Sequence, residues 1–145
     1  MASSSLRARR VFVDSSAFLA LRDQDDEHCQ AASAILEQLI DGHYRLFTTN
    51  TLIIEAHALI LSTLGIAPAA EFLRDVQGTS LTIIRTRAQD EDLARQLIFR
   101  YQDKRFSFTD AISFVVMERL GMRLAFSFDR NFAQYGFSLL TPELL

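Results

Sequence analysis

Four acidic residues lie beside or within strongly apolar segments of the chain: Asp14, Glu55, Asp110 and Asp129, referred to here as the acidic quartet. Asp14 in VFVDSSAFLAL and Asp129 in AFSFDRNF each follow a short apolar run that is typical of a β-strand. Glu55 stands inside LIIEAHALIL, a helical segment that is apolar on nearly all sides, and Asp110 begins the apolar helix of SFTDAISFVVM. A buried carboxylate without a partner is costly or becomes protonated, so each of these acids needs an explanation.

Each acid, taken singly, has an ordinary structural explanation. Asp14 precedes a helix and could cap it, although Ser16 is the better candidate for that role. Glu55 could form an ion pair, since fourteen of the fifteen basic residues are arginines. Asp110, at the start of a helix with Thr109 as its predicted cap, would interact favourably with the helix dipole. The last acid of the quartet could cap the short turn RNFAQ.

Short β-like runs alternate along the chain with longer segments of helical spacing. Strands are predicted over residues 10–13, 45–49, 81–85, 124–128 and 138–140. Helices are predicted over residues 16–22, 27–40, 51–64, 68–77, 88–102 and 109–120. This alternation predicts the α/β fold class, with a parallel sheet covered by helices on both faces as a three-layer α/β/α domain.

Composition narrows the class of protein further. The 145 residues are 49% apolar and 23% charged, which is ordinary for one globular domain. The apolar runs are interrupted by ionisable residues and are too short for a membrane span, and the one cysteine excludes an internal disulfide. A formal charge of −3 argues against a broadly basic nucleic-acid binder. We expect a cytoplasmic protein with a flexible polar tail over residues 1–9 and a single domain over residues 10–145.

One shared site explains the acidic quartet more simply than four separate roles do. The carboxyl ends of parallel strands meet at one edge of the sheet, where α/β proteins bind their ligands. Clustered carboxylates repel one another unless a cation neutralises them, and an all-oxygen ligand set favours Mg²⁺ or Mn²⁺ over zinc. Such ions act on phosphate esters by activating water and by stabilising the developing charge.

Four segments, in this order, resemble the PIN-domain nucleases and in particular the VapC-type toxins: VFVDSSAFLAL, TTNTLIIEA, SFTDAISFVVM and AFSFDRNFAQYGF. The resemblance implies a five-stranded parallel sheet and Mg²⁺- or Mn²⁺-dependent endoribonuclease activity. It implies catalytic roles for the whole acidic quartet, with Asp14, Asp110 and Asp129 as metal ligands, of which Asp14 and Asp110 lead. Glu55 and Asp129 are expected to act through water or to orient the nucleophile. Ser16 and Thr109 match the hydroxyl positions beside these acids. A homodimer and a small antitoxin protein are the implied partners.

One position departs from the pattern of the family. Members often carry a further acid or histidine two residues after the last aspartate, where this chain has the neutral Asn131. We therefore expect one tightly bound metal ion rather than two, with Asn131 beside it. Contacts with the RNA substrate are predicted for the basic residues near the last two acids, Arg100, Lys104, Arg105 and Arg130.

Three other classes of protein fit the sequence less well. A phosphoacceptor receiver domain needs paired acids after the first strand, but Asp14 is followed by Ser15. A hydrolase with an aspartate nucleophile needs a second acid at position 16, where Ser16 stands. A PIN-like module that binds RNA or protein without cleaving is the remaining alternative, and the complete quartet argues against it.

Overall fold

The computed structural model describes residues 9–144, so the predicted tail lies almost wholly outside the described residues. The strands are β1 Arg10–Val13, β2 Arg45–Thr49, β3 Thr82–Ile84, β4 Leu124–Phe126 and β5 Ser138–Leu139. The helices are α1 Ser15–Arg22, α2 Cys29–Asp41, α3 Asn50–Leu64, α4 Ile66–Gly78, α5 Ala88–Arg100, α6 Phe108–Arg119 and α7 Asn131–Tyr135, followed by a 3₁₀ turn at Pro142–Leu144. The α/β prediction is confirmed.

All five strands are parallel and lie in the order β3-β2-β1-β4-β5. β1 occupies the centre, with Phe12 opposite Phe47 of β2 and Ala125 of β4. It is therefore covered on both faces and almost completely buried, which explains why RVFV is apolar without alternation. The two strands that precede Asp14 and Asp129 are neighbours, as the shared-site hypothesis requires.

Helices cover both faces of the sheet. Because successive side chains of a strand point to opposite faces, Val11 and Val13 pack on one side and Phe12 on the other. The valine side is closed by α1 and α2, through residues such as Ala17 and Ile35. The opposite side is closed by α5, α6 and α7 around a dense group of aromatic rings. The three-layer α/β/α prediction is confirmed.

Several predicted helix boundaries are wrong by one or two residues, and α7 was predicted only as a turn. The prediction of a helix apolar and buried on nearly all sides around Glu55 is also wrong. Ile54 is 69% exposed and Leu61 41% exposed, so α3 presents an apolar stripe to solvent. Within residues 9–144, no helix has the length and apolar character needed to cross a membrane.

Candidate active site

Asp14 is the residue at which β1 ends and α1 begins. Its backbone is extended, it caps α1, and its side chain accepts a hydrogen bond from the backbone N–H of Ser16. The sequence-based choice of Ser16 as cap is therefore wrong. The Ser16 hydroxyl instead donates to Asp14 Oδ2 at 2.8 Å, and the Ser127 hydroxyl donates to the same oxygen at 2.9 Å.

The segment after β4 is tied to the segment after β1 by hydrogen bonds. The backbone N–H of Asp14 donates to the Phe126 carbonyl, and that of Phe128 donates to the Ser16 hydroxyl. Ser127, which is 3% exposed, donates to Asp14 and accepts from the backbone N–H of Asp129. These bonds fix the first and last acids of the quartet relative to each other.

Glu55 reaches the same region from α3, the helix that follows β2. Its Oε1 accepts a hydrogen bond of 2.6 Å from the hydroxyl of Ser15, in the first turn of α1. The residue is half-buried rather than buried, and its partner is a serine rather than the arginine that we considered. Among the residues from 9 to 144, the ion pairs all involve acids outside the quartet.

Asp110 lies in the first turn of α6 and is 9% exposed. Ser107 caps this helix: its hydroxyl accepts from the Asp110 N–H, and the Asp110 carboxylate accepts from the Ser107 N–H. This reciprocal capping box replaces the predicted cap at Thr109, whose carbonyl accepts a hydrogen bond from Ser113 further along the helix.

Asn131 links the third and fourth acids of the quartet. Its side-chain amide donates to Asp110 Oδ2 at 2.9 Å, and its backbone N–H donates to Asp129 Oδ1 at 2.9 Å. A carboxylate at this position could not donate to Asp110, so the neutral amide has a clear structural role.

Burial and mutual repulsion set the charge state of the site. Burial raises the pKa of Asp14 to about 6, while hydrogen bonds from Ser16 and Ser127 act in the opposite direction and the Asp110 charge adds to the rise. Burial also raises the pKa of Asp129, and the charges of Asp110 and Glu55 raise it further. All four acids therefore lie close enough to interact electrostatically.

The donor set fits a hard divalent cation by its chemistry, since it consists of carboxylate oxygens that disfavour one another's ionisation. Asp14, Asp110 and Asp129 are the residues that would hold the ion. As oriented, no three carboxylate, imidazole or thiol side chains in the described part of the chain converge closely enough to hold a metal together. Oxygens of Asp14 and Asp110 are instead engaged by serine and asparagine donors.

The predicted substrate contacts divide into two pairs. Arg105 and Arg130 flank the site, because the Arg105 carbonyl accepts a hydrogen bond from Asn131 and Arg130 directly follows the last acid. Lys104 pairs with the aspartate before it at 3.7 Å, and Arg100 lies over the ring of the tyrosine after it. Lys104 and Arg100 are not in contact with the quartet in this conformation.

Three serines of the site were not among the predicted residues: Ser15, Ser107 and Ser127. Each lies within three positions of an acid of the quartet, in DSS, SFTD and SFD. The closeness of these serines to the acids in the sequence was the signal that could have identified them. The bonds from Ser15 to Glu55 and from Ser127 to Asp14 join residues 40 and 113 positions apart, which local spacing does not reveal.

Comparison with known proteins shows relatives along almost the whole chain. A VapC ribonuclease from Archaeoglobus fulgidus is 35% identical over 126 residues, which cover 85% of this chain and 79% of the relative. The 23S rRNA-specific endonuclease VapC20 from Mycobacterium tuberculosis is 27% identical over 133 residues, covering 92% of this chain and 99% of the relative.

Solved structures agree with this result. The crystal structure of M. tuberculosis VapC20, described as a sarcin–ricin loop cleaving toxin, superposes with a TM-score of 0.84 at 25% identity over 91% of this chain and 99% of that one. FitAcB from Neisseria gonorrhoeae, at 16% identity and a TM-score of 0.62 over 93% of this chain and 99% of that one, shares the fold. The PIN domain family model matches residues 11–138, a span that contains all four acids. The chain therefore belongs to the PIN domain family, and its relatives within that family are the VapC proteins.

Proposed function

We propose that this protein is the toxin of a toxin–antitoxin pair, a cytoplasmic endoribonuclease that hydrolyses RNA phosphodiester bonds with the help of Mg²⁺ or Mn²⁺. The observation that carries the proposal is the arrival of four carboxylates from four separate parts of the chain at one edge of the sheet. The membership of the PIN domain family and the names of the relatives support the same function.

The four acids divide into two roles in this proposal. Asp14, Asp110 and Asp129 hold the cation, and Glu55, kept in place by Ser15, orients the attacking water. The bound cation supplies charge neutralisation at the phosphate and lowers the pKa of a coordinated water. Direct attack by water, without a covalent intermediate, leaves a 5′-phosphate and a 3′-hydroxyl.

Cleavage of RNA by the purified protein tests the proposal. Total RNA is incubated with Mn²⁺ and the wild-type protein, the Asp14→Asn variant, or the Asp92→Asn variant as a control for an exposed acid outside the site. We expect cleavage by wild type and by Asp92→Asn, and loss of at least a hundredfold in rate for Asp14→Asn. Equal cleavage by all three proteins would indicate a contaminating nuclease. RNA binding without cleavage by wild type would favour the non-cleaving PIN-like module instead.

The RNA target is best sought first among structured RNAs. One relative is named as specific for 23S rRNA, and its crystal structure is described as that of a sarcin–ricin loop cleaving toxin. We propose that this chain also cuts a loop of structured RNA. An oligonucleotide with the sarcin–ricin loop sequence, compared with an unrelated hairpin of equal length, provides the test, and equal rates on both would contradict loop specificity.

Two surface features of this protein are suited to binding an antitoxin. The acidic site is suited to an arginine or lysine inserted among the carboxylates. A cleft of about 830 Å³ between α1, α2 and α4 is lined by apolar residues that include Phe18, Leu36 and Ile40. Since α1 runs from Asp14 to the cleft, one segment of a partner could occupy the cleft and reach the acids.

A homodimer is the proposed assembly of the toxin itself. The support comes from α3, where Ile54, Ala58 and Leu61 are exposed at helical spacing and form an apolar stripe. Exposed apolar stripes of this kind are characteristic of contact surfaces. The stripe lies on a different helix from those that line the cleft, so both partners could bind at once.

A further inference from the structure

An aromatic stack leads from the core of the protein to the surface beside Asp129. Phe126 is buried at the end of β4, and the ring of Phe128 meets its edge with centroids 6.2 Å apart. The imidazole of His28 lies on Phe128 face to face, with centroids 4.4 Å apart and planes 7° apart. Among the described residues, the ring contacts of this stack end at His28.

The outward side of His28 is accessible. Its side chain is 42% exposed although Phe128 stacks on one face of the ring. At the edge, Nε2 lies 3.3 Å from the carboxylate of Glu27, which itself is 86% exposed. A flat, half-exposed ring held in a fixed plane is the kind of surface on which an unpaired base stacks.

The orientation of His28 has no explanation in the helix that it precedes. His28 stands at the N-cap position of α2, yet its side chain makes no capping hydrogen bond. The turn before it is closed by backbone groups and by Asp26, whose carboxylate accepts the His28 N–H at 2.8 Å. The imidazole therefore does not cap α2, and its contact with Phe128 sets the plane of the ring.

The stack is continuous with the acidic site. Phe128 donates its backbone N–H to the Ser16 hydroxyl, and Ser16 donates to Asp14. Asp129 is the next residue in the chain. A nucleotide whose phosphate lies at the carboxylates thus has a neighbouring base within reach of the His28 ring.

The charge around His28 favours a base over a phosphate at this position. The loop before His28 contains Asp23, Asp25, Asp26 and Glu27. Such a loop repels phosphates, but its carboxylates can accept hydrogen bonds from the amino groups of a base.

We propose that His28 is a substrate-binding residue, the outer end of a Phe126–Phe128–His28 stack on which an unpaired RNA base next to the scissile bond lies. The inference rests on the proposed ribonuclease function and extends it to a site for the base. It separates this surface from the basic residues near Asp110, which are predicted to contact phosphates.

Fluorescence of 2-aminopurine provides a direct test, because the emission of this base falls when it stacks. A single-stranded oligoribonucleotide that carries it is titrated with wild-type protein in chelator. We expect quenching with wild type and with His28→Phe, which keeps an aromatic ring. We expect His28→Leu to lose the quenching and to bind about tenfold more weakly. His43→Asn, at an exposed histidine between α2 and β2, serves as the control and should behave as wild type.

Steady-state cleavage with Mn²⁺ distinguishes a binding residue from a positioning residue. We expect His28→Leu to raise KM about tenfold while kcat changes less than twofold, and His28→Phe to restore KM. A fall in kcat at constant KM, or quenching that persists in His28→Leu, would overturn the inference. His28→Gln replaces His28→Leu if thermal melting shows that the leucine variant is unfolded.

The two proposals fail in different ways. If wild type does not cleave RNA under any divalent cation, the ribonuclease assignment fails. If wild type cleaves but shows neither quenching nor a KM effect at His28, the base-stacking inference alone is wrong.

Discussion

Asp14 serves the fold and the candidate site with the same side chain. It caps α1 through the Ser16 N–H, and it holds the hydroxyls of Ser16 and Ser127 in place. Burial raises its pKa to about 6, so at neutral pH the folded protein keeps a carboxylate ionised in a place that disfavours the charge. The site is therefore a local source of instability.

This instability gives Asp14→Asn a characteristic pH dependence in chelator. Because the folded pKa of about 6 lies above the ordinary 3.8, the folded state binds the proton more tightly and loses stability as pH rises from about 4 to about 6. The full loss is on the order of 3 kcal/mol. Asn carries no such charge, so we expect the variant to melt several degrees above wild type at pH 7.5 and at the same temperature near pH 3.5. Thermal melts across this range measure it.

Addition of Mn²⁺ should remove most of that difference in melting temperature. A ligand that binds only the folded state stabilises it by about 2.7 kcal/mol at one hundred times its Kd, and the variant should lose most of this gain. A wild-type protein whose melting temperature ignores both Mg²⁺ and Mn²⁺ would contradict a shared metal site.

Ser127→Ala tests the link between the two strand ends. The substitution removes a hydrogen bond that lowers the pKa of Asp14, and it leaves the Asp129 N–H without its acceptor. We expect kcat/KM for RNA cleavage to fall about tenfold and the acidic limb of the pH–rate profile to shift upward. Ser113→Ala is the matched control, since this serine is equally buried but bonds to a carbonyl within α6. Equal losses in both variants would point to general damage rather than to the site.

The sequence reveals the acids but not their partners. Asp14 and Asp129 could be predicted because each follows an apolar run, and Asp110 because an apolar helix follows it. The bond from Ser15 to Glu55 depends on how α1 and α3 meet, and no local pattern encodes that contact. For this reason the serine partner of Glu55 could not be predicted, although the charge of Glu55 raises the pKa of Asp129 in the structure.

At the scale of elements, the contact between α5 and α6 supports the helix on which Asp110 lies. Asp90, in the first turn of α5, is 1% exposed and accepts two hydrogen bonds from Arg119 in the last turn of α6, at 3.0 and 2.9 Å. It also accepts from the Arg87 N–H. Although burial alone would raise the pKa of Asp90, the contacts with Arg119 and Arg87 outweigh it and lower that pKa.

Asp90→Ala should therefore destabilise the fold strongly. Removal of one partner of a buried ion pair leaves the other uncompensated, and since Arg119 keeps some exposure we expect a loss of about 2–4 kcal/mol in the free energy of unfolding. Because the pKa is lowered, the contribution is present at neutral pH and lost as pH falls below the ordinary range of an aspartate.

Urea titrations of Asp90→Ala and Asp92→Ala measure this difference. Asp92 forms an exposed ion pair with Arg95 on the same helix, and its loss should cost less than about 1 kcal/mol. Similar losses in the two variants would mean that the Asp90–Arg119 pair does not hold the helices together.

The strands RVFV and RLFTT were predicted correctly to the residue, whereas the other three strands were predicted one or two residues too long. The start of α6 depends on which of Ser107 and Thr109 can reach the free N–H groups, and the capping box with Asp110 decides it in favour of Ser107. A pattern of residue types does not distinguish two hydroxyls two positions apart.

At the scale of the whole molecule, the cleft and the α3 stripe are exposed apolar surfaces that lie on different helices. The cleft includes Ile40 of α2, which is 63% exposed, and the stripe includes Ile54 of α3, which is 69% exposed. Both residues are exposed enough that a charged substitution leaves the core unchanged. The two therefore serve as controls for each other.

We expect Ile40→Glu to weaken antitoxin binding at least tenfold and to leave the toxin dimeric. We expect Ile54→Glu to give a monomer and to leave antitoxin binding nearly unchanged. Light scattering measures the mass and calorimetry the affinity, with the cognate antitoxin identified from the adjacent gene. If Ile54→Glu remains dimeric, the subunits associate through another surface.

The order of the sheet also bears on how the protein is synthesised. β1 is made first but lies between β2 and β4, and Asp14 needs Ser127, which is 113 residues further along the chain. A ribosome that adds about 5–20 residues per second takes on the order of 6–20 s to reach it. Until β4 has left the exit tunnel, the first acid has neither its neighbouring strand nor its serine. Because this topology delays assembly of the site until translation has passed β4, we expect the nascent chain to be unable to cut RNA before that point.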